Sequence, residues 1–273
     1  MKNYFNIKLY KEGLKKVRLL GIAAAMVSIL LCAIFPIIHM VEGAKVSYKA
    51  TDVVTITEFA VPLFLIMFIT PLFVISMFSY LNERSKSDFY HSIPYKRICV
   101  YFSFLSAVLT WVWGIIIATT LITGILWTIN PLVTYSPSVL FLIPLVYILA
   151  TTMIAGFFTI AMTLTGTPAS NVAIGILLMF FVRITGALFT NSINAVVPIF
   201  DISYSLGAFL EPTYFLPIGI LASIFAGMEP SQLYSNIPML IYSLVVAVAL
   251  VAIGAILYKS RKSEMAGKSA PSK

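Results

Sequence analysis

Residues 237–262 read IPMLIYSLVVAVALVAIGAILYKSRK. Ile237–Tyr258 carries no charge. As a helix rising about 1.5 Å per residue it reaches about 33 Å, enough to cross the hydrocarbon core of a bilayer. Lys259, Arg261 and Lys262 follow at once. An apolar run closed by cations reads as a transmembrane helix whose charged end stays in the cytoplasm.

Five more apolar runs fit the same pattern: 19–41, 59–81, 98–127, 139–165 and 172–190. With 237–258 they make six spans, which places both chain ends on one side. Fifteen of the eighteen Lys and Arg residues then share that side, clustered at Lys2–Arg18, Arg84–Arg97 and Lys259–Lys273. The opposite side keeps Lys45 and Lys49, and Arg183 lies inside a span. Retention of Lys and Arg in cytoplasmic loops predicts a multi-pass protein of the plasma membrane with both termini cytoplasmic. Composition agrees: the chain is 60% hydrophobic and 10% charged, with a mean hydropathy of +1.00. Its net charge of +8 is read as membrane orientation toward anionic lipid, not nucleic-acid binding.

The fold class expected is an all-α polytopic membrane protein in which 18–258 form one transmembrane domain. Residues 1–17 precede it. On a helical wheel Ile7, Tyr10, Leu14 and Val17 share one side and Lys8, Lys11 and Lys15 another, as in an interfacial amphipathic helix. The first apolar run lacks a small-residue cleavage site and reads as a retained span. Residues 259–273 form a basic cytoplasmic tail. Residues 191–236 are harder to place. Tyr214–Met228 is apolar but interrupted by Pro217, and it is too short to cross the core. A seventh span would also put Lys259 and Arg261 outside. The stretch is therefore read as an outer re-entrant hairpin, broken at Pro198, Pro212, Pro217 and Pro230.

Little in the chain suggests chemistry of its own. No G-x-x-x-x-G-K-[ST] motif occurs, and Gly267-Lys268-Ser269 lacks the upstream glycine. His39 and His91 fall on opposite faces, so they cannot share a metal. Cys32 and Cys99 lie in different spans and read as buried thiols. Neither a catalytic site nor a cofactor site is expected. Arg183 is the one deep charge. A central Arg costs at least ~2.5 kcal/mol on insertion scales, so it needs protein or water around it. Two readings stand side by side: a structural pairing within the bundle, or a residue lining a translocation path.

The most informative connection is 82–97, NERSKSDFYHSIPYKR. A mere connector would be short and polar, whereas this one mixes charges with Phe89, Tyr90, Ile93 and Tyr95. Ser87 can cap a short helix that ends before Pro94 and presents Phe89, Tyr90 and Ile93 to a protein partner. Chance amphipathicity is the plain alternative.

The run Arg84–Arg97 resembles the R-S-x-x-x-F-Y-H-S-[LI]-P-x-x-R signature of ABC-2-type permeases common in Gram-positive bacteria. Lys262–Ser269 is similar to the basic E-x-A-G-x-S stretch that follows their last span. The general plan resembles that of type V ABC exporters along nearly the whole chain. The resemblance implies that 82–97 is a coupling helix docking on a separate ATPase subunit, with Arg84, Asp88, Phe89, Tyr90, His91, Pro94 and Arg97 at or near the contact. Two ATPases would bind ATP and Mg. They would drive two permeases, either two copies of this chain or this chain with a sister subunit. The turn 167–171 could touch the ATPase as well. The cargo implied is an amphipathic or hydrophobic peptide, drug or lipid. An importer would carry an E-A-A-x-x-x-G loop, which this chain lacks. Other classes stay open. A motor-independent transporter or channel needs coupling-ion ligands within the spans, where only Arg183 is charged. An intramembrane enzyme needs paired Asp or Ser-His sites at depth. A scaffold or immunity protein needs neither.

Overall fold

A computed structural model describes residues 4–45, 57–129, 137–196 and 237–268. Among them all regular structure is helical. In chain order the helices are α1 (Ile7–Lys16), α2 (Arg18–Lys45), α3 (Thr57–Phe78), α4 (Arg84–Ser92), α5 (Arg97–Ile129), α6 (Pro137–Leu164), α7 (Pro168–Val196) and α8 (Ile237–Ser260). Short 3₁₀ turns follow α3 at Ser79–Asn82 and α8 at Ser263–Met265. Three helical segments, Arg97–Leu126, Pro144–Leu164 and Leu240–Ser260, are long and apolar enough to cross a membrane. The pair Ile7–Lys16 and Arg18–Ile34, bent by 59°, makes a fourth if read as one span. Phe68–Asn82 and Pro168–Phe181 are shorter apolar stretches. The chain is thus a membrane-embedded helical protein. Most of the outer hairpin expected at 191–236 lies outside the described residues, and 191–196 form the last turns of α7.

α6 is the central helix. It packs against α3, α5, α7 and α8, and most of Pro144–Leu164 is buried. Its buried face alternates small and large residues: Ala150, Met153, Ile154, Ala155, Phe157, Phe158 and Ala161. In a membrane, helices gain nothing from leaving lipid for an equally apolar partner, so small residues that allow close approach carry the packing. On α6, Thr151 and Thr163 donate to carbonyls three or four residues back, and the Thr159 hydroxyl also meets that of Tyr101 on α5 at 3.2 Å. Outward faces are large and apolar, such as Phe181 and Leu188 on α7 and Val245 and Ile256 on α8.

α1 lies along α5 before the chain turns into α2. Asn6 caps it, its Oδ1 accepting from Lys8 N at 2.8 Å, while its own N–H donates to Ser103 Oγ at 3.0 Å. The seam against α5 is Leu9, Gly13 and Val17, flanked by Tyr10 and Leu14. This differs from the apolar side expected on the wheel, because Ile7 is 60% exposed. Gly13 explains the rotation. A Cβ there would sit 2.9 Å from Ala107 Cβ and 3.2 Å from a Phe104 ring atom, so the missing side chain makes the contact. Trp111 fixes the height by donating its indole N–H to Leu14 O at 3.2 Å. Substituting Gly13→Leu forces α1 away from α5 and costs about 1–3 kcal/mol, the usual range for overpacking. A thermal melt in detergent with intrinsic Trp fluorescence checks this, and an unchanged melting temperature would refute the seam.

Candidate functional site: a helical platform at one end of the bundle

Antiparallel connections bring the ends of α3, α6 and α8 and the starts of α5 and α7 to one end of the bundle, where α4 also lies. The last carbonyls of a helix have no partners within it, and the helix dipole leaves that end negative. Cations are arranged to meet this demand. Arg261, 3% exposed, donates from Nη2 to Leu81 O at 2.8 Å and from Nη1 to Thr165 O at 2.8 Å. Nη1 also donates to Met162 O. One guanidinium thereby joins the 3₁₀ turn that follows α3 to the end of α6. Burial draws its pKa down to about 10, so it stays charged at neutral pH. Arg97 Nη1 closes α8, donating to Arg261 O at 2.6 Å and Lys259 O at 3.3 Å. Lys16 Nζ reaches Met77 O near the end of α3 at 2.9 Å.

The platform is joined to the bundle by aromatic rings. Phe78, Tyr101 and Tyr258 meet with centroids 5.6–6.3 Å apart. Tyr80 lies 4.3 Å from Tyr90 of α4, and both approach Phe104. The Tyr80 and Tyr258 hydroxyls are 2.7 Å apart. The Lys16 ammonium sits 5.2 Å from the Tyr80 centroid and 5.8 Å from that of Tyr90, within cation–π range.

The turn between α6 and α7 docks on both neighbours. Asn171, fully buried, donates from Nδ2 to Asn82 Oδ1 at 2.9 Å and accepts from Thr165 Oγ1 through Oδ1. Pro168 opens α7 at the position where its missing N–H is harmless. Gly166 pairs with the tail: its N–H donates to Lys268 O and its carbonyl accepts from Gly267 N–H, both at 2.9 Å. A Cβ at Gly166 would overlap the Met265 carbonyl. Gly267 has φ of +81°, a conformation that favours glycine. The Ser263–Met265 turn in turn packs on α4.

Helix α4 begins at Arg84, after Glu83, which makes no side-chain cap. Ser87 therefore does not cap it, contrary to expectation. It lies inside the helix, fully buried, and its Oγ has no hydrogen-bond partner among the described residues. The helix ends at Ser92, and Ile93 is extended (φ −60°, ψ 137°), as the residue before a proline prefers.

The residues singled out in the sequence divide by direction. Arg84, Asp88, Phe89 and Pro94 are exposed, Phe89 by 62%. Tyr90 and Arg97 turn inward, Tyr90 to the rings and Arg97 to the α8 carbonyls. For His91 the backbone is in α4 and the side chain lies outside the described atoms, as does the side chain of Arg183. Because α7 starts at Pro168 and not at the expected 172, Arg183 sits about 22 Å along it, farther from the platform than the sequence reading placed it. In the sequence Arg261 reads only as an orientation charge and Asn171 only as part of the 167–171 turn, and Gly166 is not picked out. Their partners are backbone atoms or distant amides, which leave no local pattern. Among the described residues no group of His, Cys, Asp and Glu could hold a metal, and Cys32 and Cys99 are free and buried.

No family model, no curated protein and no solved structure matches the chain. The resemblance carried by Arg84–Arg97 and Lys262–Ser269 therefore stands on those residues alone.

Two substitutions check the platform. Asn171→Ala removes the hydrogen bond to the half-buried Asn82 amide and should cost about 0.5–1.5 kcal/mol. In a double-mutant cycle with Asn82→Ala the losses should fall short of additive, and strict additivity would remove the pairing. Gly166→Ala should displace the tail and speed tryptic cleavage after Lys262 at an unchanged melting temperature; equal cleavage rates would contradict the docked tail.

Proposed function

We propose that this chain is the membrane-spanning permease subunit of an ATP-driven exporter, with α4 as the coupling helix that docks on a separate ATPase. The observation that carries this reading is the two-sided character of α4. Tyr90 and Ser87 are turned inward, yet Phe89 stands 62% exposed beside Arg84, Lys86 and Asp88. A short helix anchored on one side, with a large aromatic and charges on the other, suits a protein groove. The only ion pair on it among the described residues, Lys86 with Glu83 at 2.8 Å, is exposed and leaves Asp88 and Arg84 for a partner. The motor belongs to another chain in this reading, with ATP and Mg bound there, and the cargo is amphipathic or hydrophobic. A second copy of this chain or a sister permease completes the pathway.

The six-span reading belongs to the same proposal. α3 and α7 run 22 and 29 residues in full, about 33 and 43 Å, which supports counting them with α2, α5, α6 and α8. Six spans put the platform and both described chain ends on the cytoplasmic side. In intact cells a membrane-impermeant thiol reagent should label a cysteine replacing Lys49 and spare one replacing Lys86. The reverse pattern would invert the topology.

Docking is tested by Phe89→Ala with Asp88→Ala, both exposed, Phe89 meeting the Tyr90 ring edge-on at 5.4 Å from the outside. The variant should insert and melt like the parent, and an ATPase subunit that co-purifies with the parent should be lost. Co-purification at parental yield would reject α4 as the docking helix. Tyr90 is unsuitable for this test, because its removal would loosen the ring cluster.

A further inference from the structure

The segment that carries α4 is fastened at both ends to the same short stretch of chain. Where it leaves α3, Leu81 O accepts from Arg261 and Asn82 Oδ1 accepts from Asn171. Where it rejoins the bundle, Arg97 donates to the carbonyls of Lys259 and Arg261. Arg261 thus serves the segment twice, through its guanidinium at one end and its carbonyl at the other. The guanidinium also holds Met162 O and Thr165 O at the end of α6. In covalent order α4 belongs to α3 and α5; the residues that flank it hydrogen-bond to Asn171 at the start of α7 and to the end of α8, and Arg261 ties these to the end of α6.

We propose that Arg261 and Arg97 are positioning residues that make α4 a rigid extension of α6 and α8, so that a load applied to α4 reaches the central helix directly. Three features support a device over incidental packing. A lysine has one point charge and could not span three carbonyls on two helices, whereas the planar fork of arginine can. The charge is buried at 3% exposure, with Nε unpartnered among the described residues. Burial of this kind is costly unless geometry returns something. The tail beyond Arg261 then doubles the link, since Ser263–Met265 packs on α4 and Gly267 and Lys268 pair with Gly166 at the α6–α7 turn. α4 and that turn therefore move together. The use of the lever rests on α4 being a docking helix, but the lever itself does not.

The test needs no partner. The full chain, in lipid nanodiscs, carries spin labels at Ser85→Cys on α4 and Ile176→Cys on α7, both exposed. A second pair, Ile117→Cys on α5 and Leu145→Cys on α6, reports the bundle. The unsubstituted chain controls for labelling of the buried Cys32 and Cys99. Pulsed dipolar measurement should give one narrow distance peak for the α4 pair in the parent. With Arg261→Gln, and separately Arg97→Gln, that peak should broaden or split while the bundle pair stays unchanged. An α4 peak that stays narrow in both variants overturns the proposal. Broadening of both pairs overturns it too, because Arg261 would then be a general packing residue. Loss of ATPase docking in the Phe89 variant with a narrow parental α4 peak leaves both readings in place. Retained docking there rejects the coupling role and leaves the lever standing.

Discussion

Everything at the platform end depends on how helix C-termini are satisfied where water is scarce. Three long helices end there, and each leaves carbonyls that need partners once packing buries them away from water. Arg261, Arg97 and Lys16 meet those carbonyls, and a cation at a helix C-terminus contributes about 0.3–1 kcal/mol, more when partly buried. Among the described residues no acid pairs with Arg261; backbone dipoles balance it. That choice matters for geometry. A carboxylate would hold the guanidinium wherever a side chain happened to reach, whereas carbonyls in the turn after α3 and at the end of α6 hold it at a point defined by the backbone.

The same residues therefore do two things at once. In the sequence, cations after apolar runs speak to orientation, because translocation across the membrane disfavours them. In the fold, a subset of them caps the helices whose ends they mark. Lys8, Lys11, Lys15, Arg84, Lys96 and Lys262 remain exposed and available to headgroups or partners. Arg97, Arg261 and the tip of Lys16 are engaged in the structure. A count of charges by loop treats these groups alike, although replacing one from the second group would disturb the bundle and one from the first would not.

This division also explains what could be read in advance. Long uncharged runs announce helices by length alone, and α5, α6 and α8 follow from that. The short helix before Pro94 was visible through proline chemistry. What stayed hidden depends on atoms without a side-chain signature. The α1 seam rests on the missing Cβ of Gly13, which no apolar wheel counts. The expected cap at Ser87 failed because α4 starts at Arg84, which puts that hydroxyl inside the helix and under neighbouring chain. The tail read only as a basic cytoplasmic segment because its contacts, through Gly166, Gly267 and Lys268, run along the backbone.

The state of α4 itself carries the functional argument furthest. A nine-residue helix has little stability alone in water, since nucleation is costly and the run is short. This one also lacks a side-chain N-cap. Its persistence must come from tertiary contacts: Tyr90 among the rings, the tail against one side, and Arg261 and Arg97 at its two ends. A connection whose only task was to join α3 to α5 would need none of these, because a few polar residues could cross that gap. The fold instead holds a marginal helix in one orientation and leaves its most hydrophobic side chain, Phe89, in the open. Rigid support behind an exposed anchor reduces the entropy lost when a partner binds, which is how preorganisation strengthens an interface. Support of this kind is what the docking role proposed for α4 calls for.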